Sequence, residues 1–174
     1  MRHANIKLVT KVSDEGEPLE TETFVTRPNI TFALVYECAE FLANMKNQPS
    51  TDEIHMMIDI VTRIYDKQFT KRQLMDGLHS NDGTFELYKQ IVFVGSGEYL
   101  QDEVLDKETI QSQQVNHWND HKENLKATIQ KMVKEGEQPI NDVLDLPFYF
   151  VFDEINSKAK DKGTHQSSML DAFR

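Results

Sequence analysis

The stretch from Tyr65 to Gly77, YDKQFTKRQLMDG, constrains the fold most, because it predicts the end of one amphipathic helix, a tight corner and a complete short helix. Thr70 can cap the short helix while Gln73, three residues later, reaches back to it in a capping box. Gly77 is predicted to end the helix as a left-handed residue, which costs little without a Cβ atom. A well-specified helical corner in a chain poor in catalytic groups favours a protein that holds another protein.

Amphipathic helices are predicted before this corner. Asn29 is the candidate N-cap of a helix over residues 30–46, whose apolar positions recur at three- and four-residue spacing. A second capping box, Ser50 with Glu53, opens a helix over residues 51–66 with another apolar stripe. Both helices therefore present one face to a core.

The first 27 residues alternate as strands do. Ile6 and Leu8 share one side of a first strand, residues 22–26 form a second β-rich run, and the turn-rich residues 13–18 lie between them. Two strands alone are marginal in water. The predicted hairpin must therefore pack on the helices or pair with something else.

A fourth apolar segment, residues 85–94, is predicted to be helical at first and is β-branched at its end. The apolar content of the chain drops sharply after it. The small residues Gly95-Ser96-Gly97, followed by Glu98, are the candidate domain boundary, and we expect them to be flexible. Residues 106–135 then predict a long, largely exposed helix with sparse apolar positions. Beyond it lies the densest aromatic cluster, residues 148–152.

These segments predict a mainly α protein with an N-terminal β-hairpin, an α+β fold in which a small helical bundle is followed by a second helical region. The predicted division has three parts: a hairpin-plus-helix domain over residues 1–97, a C-terminal helical domain with the aromatic segment over residues 98–162, and a flexible tail over residues 163–174.

Charge and composition exclude several classes of function. The 174 residues carry 29 acidic and 19 basic side chains, a net charge of −10, which disfavours nucleic acid and anionic membranes. The single cysteine, Cys38, cannot form an internal disulfide and is expected to be a buried small hydrophobe in a reducing compartment. With no signal peptide at Met1 and no long apolar run, we expect a cytoplasmic protein that does not span a membrane.

Catalytic patterns are weak, so we expect neither an enzyme nor a bound metal or cofactor. The glycines at 95 and 97 lack the rest of a nucleotide-binding pattern, and adjacent carboxylates fit solvation or capping better than acid–base work. His117 and His121 stand four apart on a predicted helix and could place two imidazoles toward a metal. Trp118 replaces the glutamate that a metalloprotease motif needs, so two solvated histidines are the preferred interpretation.

The aromatic run at 148–152 leaves two alternatives open: the core of a small C-terminal helical unit, or a docking site for a partner. The two can coexist on opposite faces. The same ambiguity holds for the methionines at 45, 56, 57 and 75, which can fill a core or line an adaptable groove.

The segment from Ile60 to Gly97 resembles the tail assembly chaperones of long-tailed, siphovirus-type phages and prophages of Gram-positive bacteria. The matching elements are a helix ending in Tyr65, then Gln68-Phe69-Thr70, then Leu74-x-Asp76-Gly77-Leu78, then an apolar helix. The preceding hairpin and helix fit the order of elements in the family, so the likeness covers roughly residues 1–97. The structural signature residues are Phe69, Thr70, Gln73, Asp76 and Gly77.

The resemblance implies a non-enzymatic viral tail assembly protein of the infected host cytoplasm that is absent from the mature virion. It would keep the tape measure protein soluble and recruit the major tail tube protein, with self-association through the hairpin edge as a further possibility. Alternatives are a generic bacterial helical adaptor or regulatory subunit and, more remotely, a metal-dependent hydrolase. The candidate partner-binding residues are Phe148, Tyr149, Phe152, Trp118 and Met57.

Overall fold

A computed structural model of the chain describes residues 3–27, 29–45, 49–78, 83–97 and 115–151. Its elements in chain order are β1 (Asn5–Val12), β2 (Pro18–Val25), α1 (Phe32–Asn44), α2 (Thr51–Ile64), α3 (Lys71–Gly77), α4 (Gly83–Gly95), α5 (Val115–Gly136) and α6 (Ile140–Asp145). The expected α+β class, mainly helical with an N-terminal hairpin, is confirmed.

The hairpin is antiparallel, with Asn5 opposite Val25 and Val9 opposite Thr21, and its register shifts beyond Val9. Only β1 contributes buried side chains, Ile6 and Leu8, while almost all of β2 is exposed. The hairpin packs on the helices through this one face, as its marginal stability alone requires.

Gly77 ends α3, but the expectation that it adopts a left-handed conformation is wrong. The cap that follows is Leu78 in an extended conformation, and the described glycines with positive φ are Gly16 and Gly97. A Cβ atom on Gly77 would lie 2.9 Å from the Cβ atom of Leu8 and 3.0 Å from the carbonyl oxygen of Val9. Glycine is therefore needed here because α3 approaches the β1 backbone closely.

Helix α1 begins two residues later than the sequence predicts, because its N-cap is Thr31 rather than Asn29. The Thr31 hydroxyl accepts from the Leu34 N–H at 3.4 Å. The backbone around Thr31 is also held in an isolated β-bridge with Pro147, and the carbonyl oxygen of Ile30 accepts from the Phe148 N–H at 2.9 Å. The cap position is thus fixed by chain that comes much later in the sequence.

Gly95 is packed against α1, although the segment that it begins was predicted from the sequence to be flexible. A Cβ atom on Gly95 would lie 3.2 Å from the Cβ atom of Cys38 and 3.3 Å from the backbone nitrogen of Ala39, and Ser96 is buried. Small residues on both sides let α4 and α1 approach closely. Cys38 is buried and free, as expected.

Helix α5 packs its apolar stripe on α1. Trp118, Leu125 and Ile129 are buried, and they belong to the same hydrophobic cluster as the core residues of α1, α2 and α4. The remaining surface of the helix is mostly exposed. The division of the chain at Gly95–Glu98 into two domains stays a prediction. No helix within the described ranges is both long and apolar enough to cross a membrane.

Candidate protein-binding groove

A groove of about 520 Å³ lies between the first turns of α1 and the end of α2. The chain reaches it from β2 through Arg27, and the corner after α2 forms its other end. Its lining combines aliphatic side chains with charged ones: Arg27, Asn29, Ile30, Thr31, Ala33, Leu34, Glu37, Arg63, Ile64, Asp66 and Lys67.

The floor of the groove is aliphatic. Ile30 and Ile64 are buried at 3% exposure each, whereas Ala33 and Leu34 are half-buried and still offer apolar surface. Leu34 faces the groove because the Thr31 cap sets the first turn of α1. An apolar side chain of a partner would displace water from this floor, which is the favourable step in most protein association.

Ion pairs hold the charged rim. Arg63 on α2 donates through its two terminal nitrogens to both carboxylate oxygens of Glu37 on α1, in a forked pair with Nη1 at 2.7 Å from Oε2. Arg27 pairs with Asp66 across the opposite end. The forked contact fixes the spacing of α1 and α2 on the rim, since a guanidinium matches a carboxylate in a planar geometry.

Charge interactions on α2 extend from this rim. The hydrogen bond that Arg63 donates to Glu37 raises the pKa of the Arg63 guanidinium. One turn before Arg63 on α2, the carboxyl of Asp59 lies 2.6 Å from the ammonium of Lys71, the first residue of α3, which lowers the pKa of that carboxyl mainly through its hydrogen bond. These side chains are between 37% and 59% exposed, so solvent and salt weaken their ion pairs, which contribute specificity more than stability.

The corner at the end of the groove has an unusual backbone. Asp66 and Lys67 both have positive φ, at 52° and 57°, although neither is glycine. Their amides are held by the carbonyl oxygens of Arg63 and Thr62 at 2.9 and 3.0 Å, and the side-chain amide of Gln68 donates to the carbonyl oxygen of Val25 at 2.9 Å. Left-handed non-glycine residues persist where surrounding contacts over-determine them, as these do.

The signature residues of the corner form its inner support. Phe69 is buried and its ring packs at 5.0 Å from Phe24 in an edge-on contact. Thr70 and Gln73 form the predicted capping box, with both reciprocal hydrogen bonds present. Asp76 is exposed and lies 3.4 Å from Arg72. With Gly77 against β1, these residues place α3 under the hairpin and outside the groove.

None of the predicted partner-binding residues that the structure describes lines the groove. Met57, Trp118 and Phe148 are buried, at 0%, 2% and 2% exposure, and Tyr149 is half-buried. Phe152 lies outside the described residues. Their assignment as partner-binding residues stays a prediction. Because Met57, Trp118 and Phe148 are buried, a partner that binds the folded chain can contact little of their side chains.

The described part of the aromatic run has two sides. Phe148 packs on Phe32 with ring centroids 5.5 Å apart, and Val151 is fully buried. On the other side, Phe150 is 55% exposed and stacks on Tyr149 at 4.3 Å. The run therefore contributes side chains to the core and also presents an exposed aromatic pair. Phe148 and Val151 fit the core alternative, and Tyr149 and Phe150 fit the docking alternative.

The structure changes the interpretation of the two histidines, His117 and His121. His121 is not solvated as expected, since it is 4% exposed and its Nε2 donates to the carbonyl oxygen of Gly95 at 2.8 Å. Burial lowers the pKa of His121, opposed by that hydrogen bond. The side chain of His117 lies outside the described residues. Within the described ranges, no three His, Cys, Asp or Glu side chains are grouped as a metal site.

Cys38 is poorly suited to nucleophilic chemistry. Desolvation raises the pKa of its thiol strongly, and the neighbouring Glu37 raises it further. A thiol that stays protonated is a weak nucleophile. It serves packing between α1 and α4.

Sequence reasoning missed the residues that shape the groove. Arg63, Glu37 and Arg27 are charged residues on predicted amphipathic segments, and such residues usually only face solvent. The available signal was the polar corner at Asp66 and Lys67, between two well-capped helices. Even so, the ion pair between Arg63 and Glu37 could be predicted only by knowing how α1 packs on α2.

Comparison with known proteins identifies the family of this chain. The family model described as "Phage tail chaperone protein" matches residues 1–114, well over half of the chain. The match takes in the hairpin, the whole groove lining and α4, and ends before α5. No curated protein and no solved structure matches the chain. The chain therefore belongs to the phage tail chaperone protein family.

Proposed function

We propose that the protein is a tail assembly chaperone of a siphovirus-type phage or prophage of a Gram-positive host. Its role is to keep the tape measure protein soluble and to recruit tail tube subunits in the host cytoplasm. Membership of the chaperone family implies a non-enzymatic role. The observation that carries the finer proposal is the aliphatic groove with a charged rim inside the part of the chain that the family model matches.

The groove suits an amphipathic helix of a long partner. Leu34 and Ala33 offer apolar surface to one or two side chains of such a helix, while Arg27 and Lys67 on the rim meet its polar positions. The apolar area is small, so each contact is weak and the complex can be released when assembly proceeds. Many copies along one tape measure chain would provide solubility without tight binding at any one site.

Net charge supports the same role. At −10, chaperone-bound complexes repel one another, which opposes the aggregation of exposed apolar helices. The groove itself is locally basic, since its lining includes three basic side chains, Arg27, Arg63 and Lys67, and two acidic ones, Glu37 and Asp66. Acidic positions on the bound helix would therefore be favoured at the rim.

Recruitment of the tube subunit is assigned to the part of the chain beyond the family match. The exposed pair Tyr149 and Phe150 is the described surface best suited to it, because stacked aromatic side chains supply large contact area at low entropic cost. Phe152, which lies outside the described residues, belongs to the same proposed contact.

The test is co-expression with the tape measure protein of the same tail module, with its soluble fraction as the measurement. We expect the unmodified chain to raise that fraction and Leu34→Asp to abolish the effect, because a carboxylate cannot be desolvated on the groove floor. Met56→Asp is the matched control, since Met56 is 54% exposed on α2 and does not line the groove. Circular dichroism establishes that both variants fold.

Two outcomes contradict the proposal. If the unmodified chain leaves the tape measure protein insoluble, the chaperone role is wrong. If folded Leu34→Asp protects as well as Met56→Asp, the role stands but the groove does not carry it.

A further inference from the structure

The two edges of the hairpin differ in how they are covered. On the β1 side, the carbonyl oxygen of Asn5 accepts from Gln90 Nε2 at 3.1 Å, and Gly77 lies against the Val9 backbone. Helices α3 and α4 therefore close this edge. On the β2 side, Thr21, Glu22 and Thr23 are all exposed. Within the described part of the chain, the outer edge of β2 is therefore the more open of the two.

The hydrogen-bond phase of the hairpin shows which backbone groups point outward from β2. The Thr26 N–H donates to the Ala4 carbonyl oxygen at 3.0 Å, which makes this a hydrogen-bonded pair. In an antiparallel ladder such pairs alternate with pairs whose backbone groups point away. Counting from the hydrogen-bonded pair of Ala4 and Thr26, every second residue of β2 belongs to the other kind of pair. Thr21, Thr23 and Val25 therefore direct their N–H and C=O groups outward.

Most of these outward groups have no partner within the described part of the chain. The Val25 carbonyl oxygen accepts from Gln68 Nε2, which closes the inner end of the edge. Thr21 and Thr23 make no such hydrogen bond to any described residue. The backbone of Thr21 and Thr23 therefore forms a short template to which a further strand can be added. The contact of Gln68 with Val25 ends this template on one side.

Side chains beside this template define what can bind. Thr21 and Thr23 lie on one face, where β-branched neighbours pack well. Glu20 and Glu22 lie on the other; Glu20 is already 3.4 Å from Lys11, whereas Glu22 stands opposite Leu8 and has no ion pair with a described residue. A strand added here would place its alternate side chains next to carboxylates.

A second copy of this chain fits the edge poorly. Outward residues must meet outward residues, so an antiparallel pair of β2 strands centred on Glu22 places two Glu22 side chains opposite each other. Centring on Thr21 places Glu22 opposite Glu20. Centring on Thr23 requires the Val25 carbonyl oxygens that Gln68 already occupies. Each register therefore meets like charges or a lost hydrogen bond.

We propose that the outer edge of β2 binds an extended segment of a partner protein in which Lys or Arg alternates with β-branched residues. The backbone groups of Thr21 and Thr23 pair with the segment, and Glu22 and Glu20 select its basic side chains. This contact lies outside the groove and goes beyond the proposed function, so either can fail without the other.

The test uses the full chain and a blocked peptide that alternates lysine with valine and threonine, with a glutamate-for-lysine peptide as control. We expect saturating lysine peptide to slow amide hydrogen exchange at Thr21 and Thr23 by about tenfold or more, because new hydrogen bonds protect them. The glutamate peptide leaves exchange unchanged. Unchanged exchange with the lysine peptide, or a chain that dimerises through this edge instead, overturns the proposal.

Two pairs of variants separate strand pairing from simple charge attraction. Thr23→Pro removes an outward N–H without removing a bond to β1, and Thr23→Val keeps that N–H. We expect the proline variant to bind the peptide about tenfold more weakly than the valine variant. Equal binding by two folded variants overturns strand addition.

Glu22→Lys tests the selecting charge, with Glu22→Gln as the milder change. We expect Glu22→Lys to lose affinity for the lysine peptide and gain it for the glutamate peptide, because the charge beside the added strand is reversed. Unchanged preference between the two peptides would show that Glu22 does not select the segment. This arm remains decisive where Thr23→Pro fails to fold.

Discussion

The Tyr65 hydroxyl donates to Gln90 Oε1 at 2.7 Å, joining the corner after α2 to α4 inside the core. The Gln90 amide nitrogen also donates to the Asn5 carbonyl oxygen at 3.1 Å and to Glu86 at 2.7 Å. Burial raises the pKa of the Tyr65 hydroxyl, so it stays a donor at any physiological pH. One buried side-chain amide thus connects the hairpin, the corner and α4.

We expect Gln90→Met to lower the free energy of unfolding by about 1–3 kcal/mol, because the buried Tyr65 hydroxyl loses its acceptor while the volume is kept. Urea unfolding measures the change. In a double-mutant cycle with Tyr65→Phe, the second substitution should cost less in the Gln90→Met background than alone. Additive effects would show that the two side chains do not act as a unit.

Gly77→Ala is expected to destabilise the chain even though alanine favours helices. The added Cβ atom would stand 2.9 Å from Leu8 and 3.0 Å from the Val9 backbone, and such overpacking costs about 1–3 kcal/mol. The helix-propensity gain of about 1 kcal/mol does not offset a cost at the upper end of that range. Chemical denaturation measures the net effect.

Gly136→Ala is the matched control for this substitution. Gly136 ends α5, and a Cβ atom there would meet only Gln138 at an ordinary 3.6 Å. We expect a neutral or slightly stabilising change. Equal effects at both positions would mean that the contact of α3 with β1 is looser than the structure has it.

Local signals were predictable from the sequence, and long-range ones were not. Both capping boxes, at Ser50 and Thr70, were correct because each is complete within four residues. The Thr31 cap was missed because Asn29 is an equally good capping residue, and the choice depends on the bridge to Pro147. Gly77 was correctly chosen as a helix end, but for the wrong physical reason.

The candidate site was less predictable than the fold. The apolar stripes of α1 and α2, which the sequence predicts to face a core, are mostly buried, and they leave only Ala33 and Leu34 as half-buried apolar side chains in the groove. Its rim depends on the Arg63–Glu37 pair, which joins two helices and leaves no mark in either one alone. The corner after α2 was predicted, but the left-handed backbone of Asp66 and Lys67 within it was not, since neither residue is glycine.

His121 should make stability depend on pH. Burial lowers its pKa in the folded chain below the ordinary 6.5, so on acidification the unfolded chain takes up the proton first. The stability is full above pH 6.5, is lost as the pH falls toward the folded-state pKa, and levels off below it. Urea unfolding between about pH 8 and about pH 5 measures this slope.

His121→Gln should flatten the dependence, because glutamine does not titrate in this range. His55→Gln is the control, because it makes the same substitution at an exposed position on α2. An equally steep slope in His121→Gln would assign the pH dependence to other groups.

Trp118 tests whether the chain unfolds as one unit or two. It is 2% exposed and belongs to the cluster that includes α1 and α4, so Trp118→Ala should lower the free energy of unfolding by about 3–5 kcal/mol. If the shared core makes unfolding cooperative, circular dichroism and the fluorescence of a probe on β1 shift together to lower denaturant concentration. Ile140→Ala, at a position 54% exposed, should change stability by less than about 0.5 kcal/mol. Unfolding in two separate transitions would instead support a domain boundary at Gly95–Glu98, provided that Trp118→Ala shifts only the transition in which α5 unfolds.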